Sequence, residues 1–164
     1  MMDEISSLNE LYSAIVNNVL VAIFTIDNSG VINSVNPALE KISGLFCNTK
    51  EKIIGFNWIK DPFTIKCGLS SHLKKCLLGK PFQLWDFPFK NYKGDKDIFL
   101  NIKGIPLKKS GMIKGILCII EDTTERVLIG AKLQREKRLA SLGKLAAGIA
   151  HEMNNPLATL VAHS

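Results

Sequence analysis

Residues 21–37 read VAIFTIDNSGVINSVNP, and the organisation of the chain follows from this stretch. Val21 to Asp27 is a β-branched and aromatic run, the composition of a half-buried strand. Asp27-Asn28-Ser29-Gly30 supplies residues that tolerate positive φ, and Val31 to Val35 then resumes the extended pattern, so the two runs form an antiparallel hairpin. Asn36-Pro37 ends the second strand. Proline has no amide to lose at the first turn of a helix, which predicts a short helix through Ile42, stopped by Gly44.

Upstream of the hairpin, Ile5, Leu8, Leu11, Tyr12, Ile15, Val16 and Val19 recur every three or four positions, which predicts an amphipathic helix from Glu4 to Val19. Downstream, residues 49–80 carry short helices and turns. Gly55 ends one, Asp61-Pro62 starts another, and Cys67 to Leu78 has helical apolar spacing with Gly79 as its stop. Three further strands follow, Phe82 to Phe89, Asp97 to Leu107 and Met112 to Glu121. In the middle one Ile98, Leu100, Ile102 and Gly104 share a face. Two strands, small helices, then three strands make an α+β domain on a mainly antiparallel sheet of about five strands.

Composition removes several classes. With 164 residues, 46% of them hydrophobic and 22% charged, the chain buries a core, yet no run approaches the ~20 apolar residues of a membrane span. The net charge of +6 is spread over interleaved Lys and Asp, without the recognition helix or aromatic-basic platform that would point to nucleic acid. Cys47, Cys67, Cys76 and Cys118 are irregularly spaced, so no metal site is expected and the thiols read as free in a reducing compartment. The acidic start, Met1-Met2-Asp3-Glu4, is unlike a secretory signal; a cytoplasmic location is expected. Phe56, Trp58, Phe63, Trp85, Phe87 and Phe89 are read as core or interface packing.

After Glu121 the pattern is helical. Asp122 stands three residues before Glu125, the spacing of an N-cap carboxylate and an N3 carboxylate, so a helix is expected to start there. Its apolar residues, with four/three spacing from Leu142 through Leu145, Ala146, Ile149 and Met153, suit a partner helix and predict a homodimer. His151 falls about 200° from Ile149 around the helix, on the exposed side; Asn155 lies four residues on and Glu152 beside it. On residue pattern alone a lone helical histidine is usually a polar surface residue.

The segment ASLGKLAAGIAHEMNNPLATL, residues 140–160, resembles the phosphoacceptor box of the dimerisation and histidine-phosphotransfer domain of bacterial sensor histidine kinases. Residues 8–126 resemble a PAS sensory domain, through the strand pair Ala22 to Val35, Asn36-Pro37-Ala38 opening a helix, Gly55 after Lys52-Ile53-Ile54, and the ending Glu121-Asp122-Thr123-Thr124-Glu125-Arg126. The resemblance implies an N-terminal amphipathic helix over 1–20, a PAS sensor over 21–121, a linker helix over 122–138, and the first part of the phosphotransfer domain over 139–164. It implies that His151 accepts the γ-phosphoryl group of ATP and passes it to the receiver domain of a response regulator. Glu152 then serves as general base and Asn155 positions water for dephosphorylation. By their position between the last strand and the helix that carries His151, Asp122 and Thr124 are expected to couple sensor to output.

The sequence contains no Gly-rich nucleotide cradle, so ATP is expected to be handled by a catalytic domain outside these residues, and the 164 residues are expected to be inactive alone. Neither a flavin-type cysteine box nor a C-x-x-C-H haem motif is present, leaving the PAS ligand unknown, a small molecule or none. His72 lies in the helix where haem-binding members place an axial ligand; as a bare pattern it is a polar helix-face residue. The competing reading is a non-catalytic PAS dimerisation or ligand-binding module with an inert C-terminal helix.

Overall fold

The computed structural model describes residues 2–42, 53–90 and 97–161. It contains α1 (Met2–Asn18), β1 (Ala22–Asp27), β2 (Ile32–Val35), α2 (Pro37–Ile42), α3 (Pro62–Lys66), α4 (Leu69–Leu77), β3 (Phe82–Lys90), β4 (Asp97–Lys109), β5 (Met112–Asp122) and α5 (Thr124–Val161). The five strands form one sheet in the order β2-β1-β5-β4-β3, with every neighbouring pair antiparallel. The chain divides into two compact units, Met1–Thr124 and Glu125–Ser164. Gly44 and Cys47, with the turns expected around them, lie outside the described residues.

The hairpin turn works through Asp27. Its Oδ1 accepts from the Ser29 amide (2.8 Å), the Ser29 hydroxyl (2.6 Å) and the Val31 amide (3.0 Å), while Gly30 takes a φ of 87°. These donors, the Ser29 hydroxyl foremost, favour the ionised carboxylate and hold its pKa below the usual value.

One face of the sheet is dry. Alternate residues of β1, β4 and β5 (Phe24, Ile26, Leu100, Ile102, Ile116 and Ile120) pack with Leu39 of α2, Trp58, and Leu69 and Leu73 of α4. Phe24 meets Trp58 edge-on at 5.1 Å. At Gly104 a side chain would collide with the ring of Phe82, so the fourth inward position of β4 has to be glycine. Asp61 caps α3 by accepting from the Thr64 amide at 2.8 Å. Gly79, at φ 93°, ends α4: its amide bonds the Cys76 carbonyl and the Lys80 amide bonds that of Lys75, satisfying the last orphan acceptors.

Asn36, 1% exposed, joins three elements. Its amide nitrogen donates to the carbonyls of Val16 in α1 and Val21 before β1, both at 3.0 Å. Its oxygen accepts from the amides of Ile23 (2.9 Å) and Leu39 (3.2 Å). A residue read from sequence as a strand breaker is therefore also a fully bonded buried tie.

Candidate functional site

Two places carry the residues singled out for function. The first is the turn of α5 around His151. His151 and Glu152 are both exposed, as the helical spacing predicts. Asn155 falls within α5, though its side chain is outside those described. An exposed imidazole followed directly by a carboxylate presents a nucleophilic nitrogen and a proton acceptor to an incoming macromolecule. The expected seam is uncovered within the single chain: Leu142, Leu145 and Ile149 are 61%, 64% and 57% exposed.

The second is the junction at the end of β5, where the structure corrects one expectation. Asp122 is still paired with Leu100 in the β-ladder, so the helix begins at Thr124 and the N-cap position belongs to Thr123. Glu125 is then the second helical residue and closes no capping box with Asp122. Asp122 still serves the helix start, because its Oδ1 accepts the Thr124 amide at 2.9 Å. The Thr123 amide donates to the Phe99 carbonyl at 2.8 Å, and the Thr124 hydroxyl accepts the Phe99 amide at 2.9 Å. The two threonines thus extend the pairing with β4 beyond the strand. Thr123, 3% exposed, also donates its hydroxyl to Asp86 in β3 at 2.8 Å. Sequence reading missed Thr123 and Asp86, which are 37 residues apart and meet only because β3 and β5 flank the same strand.

Elsewhere the candidates are quieter. His72 on α4 is half-buried against Phe82, with ring centroids 5.5 Å apart, while Leu69, Leu73 and Cys76 take the core face. Among the described residues no group of three or more His, Cys, Asp or Glu side chains is arranged to hold a metal ion. Cys67, Cys76 and Cys118 are unpaired. Burial pushes the Cys76 thiol up to about 11 and Cys118 higher still, which suppresses the reactive thiolate. Of the aromatics, Trp58 and Phe89 are core, and Phe56, Phe63 and Phe87 pack against it. Trp85 instead stands 67% exposed on the outer sheet face, beside a shallow groove of about 160 Å³ lined also by Gln83, Asn101 and Glu121. Among the described residues no helix is long and apolar enough to cross a membrane.

Comparison with known proteins agrees with this geometry. The family model for the PAS domain matches residues 20–125. The signal transduction histidine-protein kinase AtoS of Escherichia coli is 28% identical over 160 residues, 96% of this chain and 24% of AtoS. The chain thus spans about a quarter of that relative's length. Histidine kinase ThkA, solved in complex with the response regulator protein TrrA, is 27% identical with a TM-score of 0.53 over 83% of this chain and 38% of that one. A PAS domain from Colwellia psychrerythraea gives a TM-score of 0.56 at 19% identity, covering 72% of this chain and 98% of that one, and speaks for the fold alone.

Proposed function

The chain belongs to the PAS domain family, and from that premise we propose that it is the sensor and phosphoacceptor segment of a two-component histidine kinase. The observation that carries the reading is the exposed His151-Glu152 pair on α5, the helix that begins directly after the last strand of the PAS sheet. Similarity to AtoS along 96% of the chain, PAS sheet and α5 together, supports it.

In this reading a ring nitrogen of neutral His151 attacks the γ-phosphorus of ATP, the β–γ bridging bond breaks, and ADP leaves. Glu152 accepts the proton on the other ring nitrogen, which fixes the tautomer and offsets the positive charge developing on the imidazole. The phosphoryl group then passes to an aspartate of a response-regulator receiver domain, and Asn155 positions the water that later hydrolyses that aspartyl phosphate to the free carboxylate and inorganic phosphate. ATP is bound by a catalytic domain outside these 164 residues. The apolar seam of α5 is covered by a second copy, and a cytoplasmic location brings the response regulator within reach. Asp122 and Thr124 carry the state of the sheet to the helix; the PAS ligand, if the domain takes one, is a small molecule.

The test is labelling with γ-labelled ATP of the protein that carries this sequence, alongside its His151→Gln variant. Acid-labile, base-stable label is expected in the first and not in the second, and the 164-residue chain alone should take up none. Equal label in the variant would remove His151 from the role. No label in either would favour a non-catalytic PAS module.

A further inference from the structure

We propose that Asp86 is a positioning residue for the output helix: a strained bulge on the edge strand that holds Thr123, and with it the first turn of α5, to the sheet. The pairing of β3 with β4 slips between Leu84 and Phe87, so that Trp85 and Asp86 together stand opposite the single residue Asn101. Asp86 takes a φ of 45°, a left-handed conformation that few non-glycine residues adopt, Asp among the more tolerant, and that surrounding bonds can fix.

The surroundings here do so. The Asp86 amide donates to Asn101 Oδ1 in β4 at 2.9 Å, and Asn101 Nδ2 donates in turn to Glu121 Oε2 in β5 at 2.8 Å. The bulge aims the Asp86 carboxylate at the Thr123 hydroxyl, 2.8 Å away, which also lies 3.2 Å from the Phe99 carbonyl. Bonds from β3 and β4 therefore converge on the residue at which β5 gives way to helix. A bulge re-aims one side chain at a local cost in pairing, and this one aims it across β4 at the junction.

The arrangement also gives the outer sheet face a way to reach the helix. Trp85, the other residue of the bulge, shares the outer groove with Asn101 and Glu121. Anything that presses on Trp85 or displaces Asn101 loosens the bulge, and a relaxed bulge turns the carboxylate away from Thr123. That regulatory meaning rests on the signalling role proposed above, but the positioning itself can be tested without any phosphotransfer.

The test is amide hydrogen exchange on the 164-residue chain with Asp86→Gly, Asp86→Asn and Thr123→Val. Glycine relieves the left-handed strain and removes the carboxylate that accepts from Thr123, so the sheet keeps its protection while amides of residues 127–132 exchange at least about fivefold faster, as loss of one hydrogen bond predicts. Asparagine tolerates the same φ and still accepts the hydroxyl, so Asp86→Asn should exchange more slowly over 127–132 than Asp86→Gly. Thr123→Val should reproduce the Asp86→Gly rise, and the double variant should add nothing further. Unchanged exchange over 127–132 in Asp86→Gly, or multiplying effects in the double variant, would overturn the proposal while leaving the phosphoacceptor reading intact.

Discussion

Met1–Thr124 and Glu125–Ser164 handle apolar surface in opposite ways. In the first unit Leu69, Leu73, Leu100 and Ile102 are at most 1% exposed, and among the described residues no buried side-chain nitrogen or oxygen lacks a partner. In the second, Leu139, Leu142, Leu145 and Ile149 are all between 57% and 64% exposed. Helix α1 belongs to the first unit yet behaves like the second, with Ile5, Leu8, Leu11 and Ile15 all more than half exposed. The sheet and its small helices are a finished fold; the two long helices are surfaces waiting for other helices. A molecule divided in this way keeps its stability in one part and, on the function proposed above, its chemistry in the other.

The largest expected effect puts that division to direct trial. Leu73→Ala empties a fully buried site and should cost about 2 to 5 kcal/mol in urea unfolding. Leu142→Ala removes the same atoms from α5 and should change the unfolding of the single chain by no more than about 0.5 kcal/mol. It should instead weaken self-association, read as a rise in the dissociation constant by sedimentation. Equal destabilisation by both variants would mean that the seam is already buried in the isolated chain.

Polar groups sharpen the same contrast at a smaller scale. Asn36→Ala leaves the part-buried amide of Ile23 without its acceptor, while the Leu39 amide keeps the Asn36 carbonyl, and should cost about 1 to 3 kcal/mol. It should also free the last turn of α1, whose Val16 carbonyl loses its donor. Gln134→Ala on exposed α5 should be neutral to within about 0.5 kcal/mol. Thermal unfolding followed by circular dichroism separates the two; a neutral Asn36→Ala would show that the tie between α1 and the core is incidental.

What could be read beforehand follows the same line. The strands, the hairpin and the caps at Asp61 and Gly79 were legible because periodicity and turn chemistry act over a few residues. The exposed side of α5 at His151 was legible for the same reason. Asn36 was read as a strand breaker at the opening of a helix and not as a buried tie, since its partners at 16, 21, 23 and 39 are brought together by folding. The start of α5 was read one residue early, because nothing local reveals that Asp122 is still held in the ladder by Leu100. Asp86 was invisible: a bulge depends on the registration of two strands, and neither strand alone records it. Pro88, two residues on, marks β3 only as an edge, where a missing amide does no harm.

Among the bonded polar groups the smallest expected loss falls at the end of β5. Asp122→Ala removes the acceptor of the Thr124 amide while leaving the ladder contact to Leu100, the Phe99 bonds and the Asp86 latch in place. The loss should be about 0.5 to 2 kcal/mol, toward the lower end because Thr123 and Thr124 remain anchored. That is small against the stability of a folded domain, yet it matches the roughly 1 to 3 kcal/mol by which coupled states differ. The variant should therefore unfold at nearly the same urea concentration while, on the function proposed above, the balance of kinase and phosphatase activity in the protein that carries this sequence shifts. Phosphorylation of His151 measured with and without stimulus provides the check. If level and response both match the parent, the Asp122 bond is structural trim, and any signal leaves the sheet through Thr123 and Asp86 instead.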